Sequence, residues 1–298
     1  MKKSFIIFLI LALFIPQWGW SQRDKSEDDS NFSPGVDFII GGGIYFGSKK
    51  TAGYYSGQPQ NENNLNYIFD NYSWKKDIVK LITDNNNFIS STDTTIGIKE
   101  YPTAVKYKPA MSVMLGASYR FNKHWRLSIY YTFARLTAKD IFTVSYTNLV
   151  PGNERNDYLQ YLLIGKENRS FIDVTGSYTF DASQYIKPFI EFGAQLNFVK
   201  VKSFDAVIEN REFNLLDVYG GSNYVAGTYM QEFEPNYGGA GFAFTGTAGV
   251  KFCFNENISI DPIFYISWGK IHLTDYNDFH FNYGAYVRLI MSDGLFKK

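Results

Sequence analysis

The chain has 298 residues, equal numbers of basic and acidic side chains (29 each), a pI near 6.8 and one cysteine. That balance offers no electrostatic case for a nucleic-acid partner, and one cysteine excludes an intrachain disulfide framework. Mean hydropathy is −0.22 although 18% of residues are aromatic, which excludes a bundle of apolar spanning helices but suits a chain that turns only alternate residues toward lipid.

Residues 1–22 read as a secretory signal peptide. Lys2 and Lys3 form a basic start, Phe5 to Pro16 an apolar stretch, and Gly19-Trp20-Ser21 a small-residue cleavage site before Gln22. Residues 23–35, rich in Asp and Ser, are expected to be a flexible polar segment. Eight strands are then predicted from strict alternation, because successive side chains of a strand point to opposite faces. They cover about Val36–Phe46, Lys108–Phe121, Trp125–Lys139, Asn168–Phe180, Lys187–Lys202, Gly239–Phe254, Asn257–His272 and Phe279–Ile290. The sixth is the clearest. Phe242, Phe244, Gly246, Ala248, Val250, Phe252 and Phe254 share one face, and Thr245, Thr247, Lys251 and Cys253 fall on the other.

Connections alternate in length. Asn122–His124, Asp181–Ile186 and Asn255-Glu256 are short, whereas 47–107, 140–167 and 203–238 are long. This rhythm predicts an all-β fold: an eight-stranded antiparallel up-and-down transmembrane barrel over 36–291, with long extracellular loops and a tail at 292–298. Tyr119, Phe121, Trp125, Phe180, Phe252 and Phe254 are expected in a periplasmic aromatic girdle. Phe46, Phe133, Phe198, Phe242, Trp268 and Phe279 are expected in an outer one. Within the first long loop, Ile78, Val79, Leu81 and Ile82 predict a short amphipathic helix over Ser73–Thr83. Alternation continues through Ile141–Tyr146, so the third strand is expected to project past the membrane and offer an edge to a partner strand.

The signal peptide and eight stripes resemble the small outer-membrane β-barrel proteins, the OmpA/OmpX-like group, and share the general plan of PorT-like barrels of secretion systems. The resemblance spans about 36–291 and rests on pattern. It implies the outer membrane as location, contact with outer-membrane lipid including lipopolysaccharide, and a monomeric barrel.

Parity turns Asp37, Arg120, Arg126, Asp173, Glu191, Lys251, Asp261 and Arg288 into the lumen, four bases against four acids. Because unpaired buried charge is costly, these are expected to form a paired network that plugs the barrel, with Asp173 nearer mid-height. The strand glycines, Gly41-Gly42-Gly43 among them, are expected to serve barrel curvature. His272, His280, Asp275 and Asp278 cluster near the outer rim as a candidate site. No metal or cofactor is expected, no catalytic residue is assigned, and no nucleic-acid partner is expected. The functional reading is a non-enzymatic surface-binding or envelope-assembly component that recognises protein partners through loops 47–107, 140–167 and 203–238. The alternatives are a rim-located lipid-modifying enzyme and a narrow channel.

Overall fold

The computed structural model describes residues 34–86, 89, 94–147, 158–216 and 237–295. The predicted signal peptide, nearly all of segment 23–35, the tail beyond 295 and the aromatics Tyr219, Tyr224, Tyr229 and Phe233 lie outside the described residues.

Among the described residues eleven strands form one antiparallel sheet: β1 (Gly35–Phe46), β2 (Ile96–Glu100), β3 (Lys106–Tyr107), β4 (Ala110–Arg120), β5 (Trp125–Tyr146), β6 (Tyr158–Thr179), β7 (Ile186–Ile208), β8 (Arg211–Asn214), β9 (Gly238–Cys253), β10 (Ile258–Gly269) and β11 (His280–Ser292). Eight of them close a ring in the order β1-β4-β5-β6-β7-β9-β10-β11, with β11 returning to β1. These are the eight strands predicted from alternation. Followed through the register, Ile39 meets Gly116, Tyr130, Asp173, Gln195, Ala243, Gly269 and His280 in turn. The β11–β1 register, carried three pairs beyond Tyr283–Phe46, returns to position 49. The ring thus closes with a stagger of ten residues, which tilts eight strands by about 40°.

Burial is inverted relative to a soluble protein. Outward residues such as Phe38, Leu115, Ile129, Val174, Phe192, Phe264 and Val287 are large, apolar and exposed, while the inward positions hold buried charges. Such an outer belt is stable only against hydrocarbon, and the chain is an eight-stranded transmembrane β-barrel. On β1 the inward glycines make room. A Cβ at Gly43 would lie 2.7 Å from the Tyr286 ring, and one at Gly41 3.3 Å from Arg288 Cγ. Here the glycine stripe answers to the bulk of β11 side chains in the lumen as well as to curvature.

Two loop assignments need correction. Residues 158–167 and 203–208 are strand, while β5 runs on to Tyr146 as the continued alternation predicts. β5, β6 and β7 have 22, 22 and 23 residues against 11 to 16 in the other ring strands. They project beyond the barrel mouth as a sheet, extended by β2 on the edge of β5 and β8 on the edge of β7. The β5 edge that the sequence leaves open to a partner is therefore taken by the chain's own β2 and β3.

Segment 47–107 is not an unstructured loop. It folds into helix α1 (Lys49–Ala52), a 3-10 turn (Gly53–Ser56), α2 (Asn66–Asp70), α3 (Tyr72–Asn85), β2 and β3. Asn71 caps α3 by accepting from the Trp74 backbone N–H at 3.1 Å. Ile78 and Ile82, one turn apart, are fully buried with Leu65 and Ile68. Edge-to-face ring pairs fasten this cap to the projecting sheet: Tyr55 on Phe204, Phe69 on Phe142 and Trp74 on Phe213.

Candidate functional site

The lumen is filled from the short-turn end upward. At the floor the Asp37 carboxylate, 2% exposed, is ion-paired with Arg120, whose Nε lies 3.0 Å away, and with Arg126, whose Nη2 lies 3.5 Å away. Arg120 also reaches Ser292 Oγ at 2.7 Å and Asp293 at 3.7 Å, which ties β4 to the end of β11. One level higher, Arg288 of β11 donates Nη1 to Glu191 Oε2 at 3.0 Å and Nη2 to Glu191 Oε1 at 2.9 Å, a bidentate pair with β7. The same guanidinium donates to the Tyr130 hydroxyl at 2.8 Å, lies 3.9 Å from Asp261, and sits between the Tyr130 and Phe189 rings, 5.2 Å from each centroid. Asp173 comes next. It accepts from Gln195 Nε2 at 2.7 Å, and Gln195 also bonds the Tyr265 hydroxyl.

The eight predicted lumen charges all face inward, but they do not form one network. Asp37, Arg120 and Arg126 make one ion-paired group, and Glu191, Arg288 and Asp261 a second. Among the described residues Asp173 and Lys251 make no ion pair: Asp173 is satisfied by an amide, and Lys251 stands opposite another inward lysine, Lys187, on β7.

A third buried group lies at the barrel mouth. Arg169, with no solvent exposure, pairs through Nε with Glu167 Oε1 at 2.5 Å. Its other nitrogens donate to Tyr45 and to Thr51 Oγ1, both at 3.3 Å, and to Asn282 at 3.5 Å. The second oxygen of Glu167 accepts the hydroxyls of Tyr55 at 2.7 Å and Tyr107 at 3.0 Å, and Asn282 accepts the Ser48 N–H at 2.9 Å. Two charges on β6 thus fasten the cap into the mouth. Burial, then the Glu167 carboxylate, push the Tyr55 and Tyr107 phenols well above the usual tyrosine range, so both remain donors. The Tyr55 ring lies directly over Gly165, where a Cβ would overlap it. This group was missing from the predicted lumen set. Arg169 shares the odd-numbered inward parity of Asp173, a signal present in the sequence. Glu167 lies outside the predicted fourth strand, which begins at Asn168, ten residues after the start of β6 at Tyr158.

The rim residues are not drawn into one constellation. His280 is buried and faces the lumen, whereas His272 is exposed beyond the end of β10. Asp275, in a left-handed turn conformation, and Asp278 are exposed in the 270–279 loop. Among the described residues no hydrogen bond or ion pair joins any two of the four, and Ser267 is a buried lumen residue. Without contact between base, acid and hydroxyl, this arrangement has no assembled nucleophile. Side chains and a folded cap occupy the lumen from floor to mouth, so the surfaces open to a partner are the cap, the projecting sheet and the outer wall.

No protein-family model matches the chain, and no curated protein does. Among solved structures it is similar to Neisserial surface protein A at 8% identity and a TM-score of 0.40, over 86% of this chain and 98% of that one. It is similar to OprG of Pseudomonas aeruginosa at 10% identity and a TM-score of 0.34, over 87% and 94%. It is also similar to Ail, the attachment invasion locus protein of Yersinia pestis, solved with the heparin analogue sucrose octasulfate, at 12% identity and a TM-score of 0.33, over 88% and 99%. These likenesses are loose, and the barrel assignment rests on the closed ring of eight paired strands.

Proposed function

We propose that this chain is a non-enzymatic barrel of the outer membrane, with its long-loop end outward, that acts as a surface-binding or envelope-assembly component. One observation carries the reading: the cap and the five-strand sheet β2-β5-β6-β7-β8 form a single folded head, locked to the barrel by Glu167 and Arg169, above a lumen filled with side chains. A pre-organised head loses little entropy on meeting a partner, as recognition surfaces require, and its exposed Tyr67 and Tyr72 are side chains that such surfaces favour. A filled lumen argues against conduction, and separated rim histidines argue against lipid chemistry.

The test is affinity purification of the native barrel from mild-detergent envelopes, paired with impermeant maleimide labelling of a Lys76→Cys variant on intact cells. Expected are surface labelling and a stoichiometric partner that is lost when the cap surface is altered. Labelling only after envelope lysis overturns the outward placement, and reproducible single-channel steps overturn the closed-lumen reading.

A further inference from the structure

At the short-turn end of the lumen, positive charge gathers on one side without acids to meet it. Lys187 on β7 and Lys251 on β9 are Cα partners in the register, so two ammonium side chains stand opposite each other on the inner face of neighbouring strands. Like charges directly opposite across a strand pair destabilise it. Among the described residues neither lysine makes an ion pair, and both are half-buried. Of the charges that act on Lys251, the strongest is a third cation, Arg126 of β5, ahead of Asp261 and Asp37.

The inward acids nearby are already engaged. Asp37 is shared by Arg120 and Arg126, and Asp293 lies 3.7 Å from Arg120. Asp261 accepts the Ser259 hydroxyl at 3.2 Å and stands 3.9 Å from Arg288, which also holds Glu191 through both carboxylate oxygens. Just above the floor, one row of the register runs Ser118, Ser128, Thr175 across β4, β5 and β6. Ser118 and Thr175 are buried, and among the described residues neither hydroxyl has a hydrogen-bond partner. A buried hydroxyl left unbonded is costly. This level of the lumen therefore has hydrogen-bond donors to spare as well as positive charge.

We infer that the short-turn end of the lumen is a binding site for a small tetrahedral dianion of the inorganic phosphate class, held by Arg126, Lys187 and Lys251. A guanidinium fork and two ammonium groups, presented inward from β5, β7 and β9, suit an oxyanion that carries two charges and several acceptor oxygens. The half-exposed lysines leave it an entrance from solvent at that end. A site inside the ring takes a free anion and not a lipid headgroup, because acyl chains stay outside the wall. The inference is independent of which way the barrel faces, so it stands or falls apart from the outward placement proposed above.

The purified barrel, in a nonionic detergent free of phosphate, is titrated with inorganic phosphate at constant ionic strength, with chloride as the balancing anion, and binding is read by phosphorus NMR line broadening. Expected is saturable binding of one phosphate per barrel. A Lys187→Gln/Lys251→Gln variant should bind at least about tenfold more weakly, whereas Lys106→Gln, exposed at the opposite end, should bind normally. Exchange of chloride for phosphate should also raise the urea midpoint of the wild type by more than that of the double variant. Broadening that never saturates overturns the inference on the wild type alone, whether or not the variant folds. Equal affinity in the wild type and the double variant overturns it too, and so does an equal rise of their urea midpoints, which marks a bulk salt effect.

Discussion

The lower lumen and its mouth use the same chemistry for different ends. One level above the floor, Arg288 and Glu191 lie on β11 and β7, which are not neighbours in the ring, so their bidentate pair spans the lumen and holds wall to wall. At the mouth, Arg169 and Glu167 lie two residues apart on one strand, and their free valences reach outward from β6 to Tyr55, Tyr107 and Thr51 of the cap. A buried ion pair is costly to strip from water, and both pairs offset that cost with further hydrogen bonds, Arg288 to Tyr130 and Glu167 to Tyr55 and Tyr107. What differs is the body each pair restrains: the lower pair braces the ring, and the pair at the mouth fastens a separately folded insert onto it.

That contrast is open to direct attack. Arg288→Ala leaves Glu191 buried without its cation and should destabilise the whole barrel by about 3–5 kcal/mol. The urea midpoint followed by tryptophan fluorescence should fall accordingly, and an unchanged midpoint would show that the pair does not hold the walls. Glu167→Ala should cost a similar amount, but locally. Amide exchange should accelerate across residues 49–85 while β10 and β11 stay protected, and equal loss of protection in β10 would mean that cap and ring are one cooperative unit.

High pH should separate the two regions more gently. The folded pKa of Tyr55 and of Tyr107 lies above the ordinary value of 10.0, so the native state holds protons that the unfolded chain releases. Their contribution is complete below about pH 10 and is lost as the pH rises through 10 toward the folded values. The near-UV circular dichroism of the cap tyrosines should decay from about pH 10 upward while the far-UV strand signal persists, and simultaneous decay of both would contradict a separable cap. The smallest effect is expected at Arg211, whose pairing with Asp77 of α3 at 3.1 Å is about half exposed at both ends. Arg211→Ala should change cap stability by no more than about 1 kcal/mol in the same exchange experiment.

The loop boundaries show where reading by residue alone stopped. The predicted strands ended where outward positions turned polar, at Arg135, Thr137 and Lys139 on one side and Lys166 and Asn168 on the other. That polarity marks the end of the hydrocarbon, not of the ladder. Backbone pairing continues up to Ser145–Tyr158 because each strand still has a neighbour to bond and a cap to bury its inner face. The α3 helix was legible from Ile78 and Ile82, whose spacing is a local property. Its burial partner across the cap, Phe213 facing Trp74, lies more than a hundred residues away and left no mark on the helical pattern.

By itself, the sequence determined the number of ring strands, which face of each meets lipid and which charges enter the lumen, because a period of two is set by the covalent geometry of each strand. Only the tertiary structure decided which charges meet. Partners in the lumen depend on the ten-residue stagger of the closed ring, a global quantity: it brings Arg288 to Glu191 but leaves Asp173 to an amide and Lys251 beside Lys187. It also decided that segment 47–107 is a folded cap, since helices that short are stable only when tertiary packing buries their apolar faces.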